Sequence, residues 1–89
     1  MNFIKYEFTA GPENVVQVEL SGPANVRLLD RPNFRAFQQG RSHNFFGGQA
    51  LRRRVQLRPP RLGNWVVVVD TGGTSSIRAS CRVLRGGAL

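Results

Sequence analysis

Gly63-Asn64-Trp65-Val66-Val67-Val68-Val69-Asp70 contains the longest apolar run in the chain, from Trp65 to Val69. That run is far too short to cross a bilayer. A nearly continuous apolar segment of this length reads as a central strand buried on both faces, or as a strand at a dimer contact. Val66 and Val68 lie opposite Trp65, Val67 and Val69, so both faces of the strand require cover. A single-layer reading leaves that surface exposed, and a homodimer is the expected remedy.

The segments on either side alternate with a period of two, the signature of half-buried strands. Ile4, Tyr6 and Phe8 oppose Lys5, Glu7 and Thr9, until Gly11-Pro12 breaks the run. Val16, Val18 and Leu20 oppose Gln17, Glu19 and Ser21, and Gly22-Pro23 follows. Val26 and Leu28 mark a third inner face over residues 25–30. Asp30 is suited to cap a helix and Pro32 to sit in its first turn. With Phe34 and Phe37 three apart and Gly40 as a stop, a short helical turn is predicted near residues 31–39. His43 to Phe46 reads as a short extended piece closed by Gly47-Gly48.

Residues 51–58 alternate Leu51, Arg53, Val55 and Leu57 against Arg52, Arg54, Gln56 and Arg58, with Pro59-Pro60 as the end. Thr71 to Ser75 reads as a turn, and residues 77–83 alternate Ile77, Ala79, Cys81 and Val83 against Arg78, Ser80 and Arg82. The prediction is an all-β, single-domain β-sandwich, jelly-roll-like, of six to eight short strands with one helical turn. The domain covers residues 1–85, and residues 86–89 form a frayed tail.

Composition narrows the class. A chain of 89 residues buries roughly 60–65% of its unfolded surface, and 40% apolar residues suffice for one core. The lone cysteine, Cys81, forbids an internal disulfide. Met1 to Glu7 lacks an apolar signal-peptide core. Cytoplasm is therefore the expected location, with no membrane contact. The formal charge of +8 comes from twelve arginines and Lys5 against five acids. Arginine suits bidentate contact with phosphate and carboxylate, although a GC-rich genome would give the same bias without selection for binding.

An ordered set of motifs runs from end to end: Met1-x-Phe3-Ile4-x-Tyr6, Val16-x-Val18-x-Leu20-Ser21-Gly22-x-Ala24-Asn25-Val26-x-Leu28-Leu29-Asp30, and Asn33-Phe34. It continues with Phe45-Phe46-Gly47-Gly48, Gly63-x-Trp65-x-Val67-Val68-Val69-Asp70, and Arg78-Ala79-Ser80-x-Arg82-Val83. In these the chain resembles a small bacterial family of domains of unknown function, numbered eighteen eighty-three. Phe46 stands where that pattern expects a tyrosine. The resemblance implies a compact sandwich of jelly-roll type, with no established activity and no catalytic residues to carry over. Similar domains joined to a Toll/interleukin-receptor-like domain hint at an accessory or sensing role.

Candidate sites follow from residue chemistry. Val67-Val68-Val69-Asp70-Thr71-Gly72 resembles an aspartic-protease signature, in which two aspartates share a proton. Gly73 and the short remaining chain count against that reading, and an Asp folding onto its own turn is the plainer one. Ser42-His43 places a hydroxyl beside a base, but neighbours on an extended chain point apart. Cys81 reads as a small core residue. Neither a metal site nor a cofactor is expected, since one His and one Cys show no ligand spacing.

The strongest candidate is an anion- or partner-binding stripe of Arg52, Arg54, Arg58, Arg78 and Arg82, which Arg27, Arg61 and Arg85 could extend. A solvated charged face that guards edge strands is the alternative reading of the stripe. Arg53 falls on the presumed core face and must pair or snorkel. A second candidate is a recognition loop of His43, Asn44, Phe45 and Phe46, which could equally plug the end of the sandwich. The expected function is a non-catalytic binding or accessory module for a protein or anionic partner. Nucleic-acid binding through the same arginines is the alternative, and a small hydrolase the remote one.

Overall fold

A computed structural model describes residues 3–71 and 76–85. The elements run β1 (Phe3–Ala10), β2 (Asn14–Leu20), β3 (Ala24–Asp30), α1 (Arg31–Gln38), β4 (Phe46–Ala50), β5 (Arg54–Leu57), β6 (Gly63–Asp70) and β7 (Ala79–Arg85). They form two antiparallel sheets, one four-stranded in the order β1-β6-β3-β4 and one three-stranded in the order β5-β2-β7.

The winding is that of a folded ribbon. β1 pairs with β6, β2 with β5 and β3 with β4. From β1 to β6 the chain is thus one long hairpin whose tip carries α1. Its paired segments alternate between the sheets, which is a jelly-roll wrap one strand pair shorter than the eight-stranded form. β7 then adds to the free side of β2.

Two-residue alternation supplies the layer between the sheets. Val16, Val18 and Leu20 of β2 meet Val26 and Leu28 of β3 and Trp65, Val67 and Val69 of β6. Tyr6, Phe8, Val55, Leu57, Ile77, Ala79 and Cys81 pack around them. The Tyr6 hydroxyl donates to the Ala79 carbonyl at 2.8 Å and ties β1 to β7 across the layer.

A second layer lies outside the four-stranded sheet. Phe34 and Phe37 of α1 bury Leu29, Val66 and Val68, with Phe3 packed alongside. The Phe3 ring meets Phe37 edge-on at 5.2 Å. Asp30 caps α1, accepting from the Asn33 backbone N–H at 3.0 Å, with Pro32 in the first turn. The helix resolves the double-sided valine run. Val66 and Val68 are 1% and 0% exposed within a single chain. The expectation of a dimer rested on their exposure, and the chain's own helix covers them instead.

Other local expectations shift by a few residues. The strand expected over residues 51–58 is only Arg54–Leu57. Leu51, expected inside, is 73% exposed because the chain there is still turning from one sheet to the other. The last strand begins at Ala79 and runs to Arg85, and Val83 on its inner row is 38% exposed. Gly47-Gly48 does not close a loop but lies inside β4, opposite Arg27 and Val26. Gly47 has φ +106°, and a Cβ there would stand 2.4 Å from the Val26 carbonyl oxygen. Glycine is what permits β4 to approach β3 so closely. Four residues of the expected Thr71–Ser75 turn, 72–75, and the expected frayed tail, 86–89, lie outside the described residues.

Candidate functional site

The two sheets treat their outward faces differently. α1 covers the four-stranded sheet, whereas the three-stranded sheet turns to solvent a face that is polar apart from Val15 and Leu84 at one end. Since Val16, Val18, Leu20, Val55 and Leu57 point into the sandwich, their alternates point out. The register then sets Arg54, Glu19 and Ser80 in one row, and Gln56, Gln17 and Arg82 in the next. Arg58 follows in the Arg54 series, and its Nη1 donates to the Pro12 carbonyl at 2.6 Å. Arg78 precedes β7, its backbone tied to Ser21. Arg54, Arg58, Arg78 and Arg82 thus share the face expected of them. Arg52 sits round the edge between the sheets, lining a shallow cleft of about 380 Å³ with Arg54 and Gly47 to Leu51.

Glu19 is the one acid on β2, β5 and β7. Its Oε1 accepts from Gln17 at 3.2 Å and lies 3.8 Å from the Arg54 guanidinium. The other ion pairs among the described residues sit toward the four-stranded sheet and helix. They join Lys5 and Arg31 to Glu7, Arg61 to Asp30 and Arg27 to Asp70. Among the described residues, four cations on the helix side are therefore paired with acids, with Arg35 and Arg41 outside any ion pair, whereas on the other side only Arg54 has an acid partner, Glu19.

One arginine that alternation placed in the core is instead exposed at the end of this sheet. Arg53 precedes β5, is exposed, and lines a cleft of about 490 Å³ with Glu19, Leu20, Ser21, Arg78, Ala79 and Ser80. An arginine on an apolar row was itself the signal that the strand had not yet begun.

Three arginines expected to extend the stripe do not. Arg27 is on the outward face of β3, on the helix side, its guanidinium 5.4 Å from the Phe37 ring centre and 5.2 Å from that of Phe45. Arg61 stacks over Trp65 at 4.9 Å and binds Asp30 at 2.6 Å. Arg85 ends β7 opposite Asn14, on the inward-facing series.

The loop of His43, Asn44, Phe45 and Phe46 joins α1 to β4. Phe46 lies edge-on to Trp65 at 6.3 Å, closing that end of the sandwich, yet remains 47% exposed. With Asn44, Phe45, Asn33, Asp30 and Arg61 it borders a cleft of about 310 Å³. The His43 ring is flanked by Phe37 at 5.4 Å and Phe45 at 5.7 Å. Its Nδ1 lies 2.9 Å from the Arg41 carbonyl, which can only accept, so Nδ1 carries the proton there. Nε2, together with Nε and Nη1 of Arg27, is buried without a hydrogen-bond partner among the described residues.

The acids and the thiol are otherwise engaged. Burial works against the Asp30 carboxylate, but hydrogen bonds from Asn33 and Arg61 outweigh it and hold Asp30 below the usual carboxylate range. Asp70 ends β6 within 3.6 Å of Arg27. Burial pushes the Cys81 thiol up, away from a reactive thiolate. Among the described residues no hydrogen bond joins His43 to an acid or a hydroxyl, and no cluster of three His, Cys, Asp or Glu could hold a metal ion. Nor is any helix in them long and apolar enough to cross a membrane.

Comparison with known proteins gives one match. No curated protein and no solved structure matches the chain. The family model described as Domain of unknown function (DUF1883) matches residues 1–86, in agreement with the ordered motifs read from end to end. On that match, which takes in every described element of the sandwich, the chain belongs to the DUF1883 family.

Proposed function

We propose that this domain is a non-catalytic binding module that takes an anionic partner on the outward face of its three-stranded sheet. The observation that carries the reading is the alignment of Arg54, Arg58, Arg78 and Arg82 on that face, with Glu19 the one acid on its strands. Two further features support it. The opposite face is occupied by the protein's own helix, and the acids there are paired with Lys5, Arg27, Arg31 and Arg61. β2, β5 and β7 carry no aromatic residue, so the face works by charge and hydrogen bonding, without base stacking.

The test is binding of labelled poly-glutamate and of a labelled single-stranded oligonucleotide, followed by fluorescence polarisation. If four arginines contact a strand, affinity should fall about 50-fold between about 50 and about 200 mM salt. Arg54→Glu with Arg82→Glu should abolish it. Failure of both probes at the lower salt overturns the proposal. Retention of the oligonucleotide with loss of poly-glutamate makes nucleic acid the partner class.

A further inference from the structure

We infer that the cleft at one end of the arginine face, between Arg53 and Arg78, is a binding site for a single phosphate group. The inference rests on the proposed anionic reading of that face, and adds the chemical group and its position.

The backbone presents the two arginines from opposite sides of β2. Leu20 N–H donates to the Arg53 carbonyl at 2.7 Å on the β5 side. On the β7 side, Ser21 N–H donates to the Arg78 carbonyl at 2.9 Å, and Arg78 N–H donates to Ser21 Oγ at 2.7 Å. Two strand spacings separate their backbones by about 10 Å. Both residues line the same cleft, one on each flank of β2, and a span of that size leaves room for one tetrahedral oxyanion between them. Neither guanidinium has a carboxylate partner among the described residues, so neither must give up an ion pair to bind.

The remaining polar groups suit the same ligand. Ser21 Oγ accepts from Arg78 N–H, which leaves its own proton to donate. Ser80 contributes a second hydroxyl at the rim, where it is exposed. Two guanidinium forks and two hydroxyls match a phosphate, with its three terminal acceptor oxygens, better than a planar carboxylate. At about 490 Å³ the cleft also accommodates the alcohol portion of a phosphate ester. Glu19 lines the cleft and opposes an anion, while Gln17 and Arg54 hold one of its oxygens. It sets a ceiling on affinity that its removal should lift.

The experiment is titration of the full chain with inorganic phosphate and, separately, glycerol phosphate, followed by amide NMR shifts at constant ionic strength. One saturable site is expected, with shifts centred on Ser21, Arg53, Arg78 and Ser80. Arg53→Gln and Arg78→Gln should each weaken it about tenfold, and Glu19→Gln should tighten it about threefold. Arg35→Gln, on the helix side, should leave it unchanged. Tighter binding of glycerol phosphate identifies an ester as the ligand, and tighter inorganic phosphate identifies the free ion. Shifts that do not saturate, or an Arg35→Gln effect equal to that of Arg78→Gln, overturn the inference. If poly-glutamate binding persists in that case, the broader reading of the face stands without a phosphate site.

Discussion

Replacing Phe37 with alanine tests whether α1 is what allows a strand with two apolar faces to exist in a single chain. Phe37 is 4% exposed, belongs to the cluster with Leu29, Val66 and Val68, and meets Phe3 edge-on. Deleting a buried phenylalanine ring costs about 3–5 kcal/mol, depending on how far the site can collapse. α1 lies on the surface and can settle toward the gap, so the lower end applies, about 3 kcal/mol. A domain of this size has about 5–13 kcal/mol in total, so the variant should fold but melt about 12–24 °C lower. It should also expose Val66 and Val68 and associate with itself. Urea unfolding gives the first quantity and light-scattering mass the second. Phe45→Ala, at a ring already 41% exposed, is the control and should cost about 1 kcal/mol. A Phe37→Ala loss no larger than the control, with the mass unchanged, would mean that the helix is not the cover assigned to it.

Two further expectations concern the backbone and pH. Gly47→Ala combines a forbidden φ with a Cβ against the Val26 carbonyl and should cost at least about 3 kcal/mol. Gly40→Ala has a positive φ but open space around it and should cost about 1–2 kcal/mol; equal losses by urea unfolding would refute the close-approach argument. Asp30 titrates below its unfolded value, so its contribution is fully present above about pH 4 and disappears as pH falls through the folded pKa. Asp30→Asn keeps a capping side chain but removes the charge. Its deficit against the parent should therefore shrink as pH drops below about 4, and a deficit constant with pH would refute the linkage.

The sandwich was legible wherever one face of a strand is wet and the other dry. Val16, Val18, Leu20, Val26 and Leu28 announce their inward face by alternation, and all are buried between the sheets. Asp30, Pro32, Phe34 and Phe37 likewise announce a capped helix with one apolar face, and α1 spans Arg31–Gln38. The shared face of Arg54, Arg58, Arg78 and Arg82 was legible for the same reason, since an outward series needs only the parity of its strand, whereas Arg52 and Arg53 precede β5 and parity misplaced them. Gly47-Gly48 was not, because the dipeptide that makes a turn also permits close strand approach, and nothing local distinguishes the two.

By itself the amino-acid sequence determined which side chains share a face within each strand, because side-chain direction along a strand is a property of the backbone period, but not where a strand begins, as Leu51 and Arg53 show. Tertiary structure alone decided what covers each face and which outward residues become neighbours. Val66 and Val68 required a cover, but only the folding of α1 back over β3 and β6 supplies it within one chain. Arg53 and Arg78 are 25 positions apart in sequence, and only the pairing of both flanks with β2 brings them to one cleft. Strand pairing depends on contacts distant in sequence, so no local window of residues carries it.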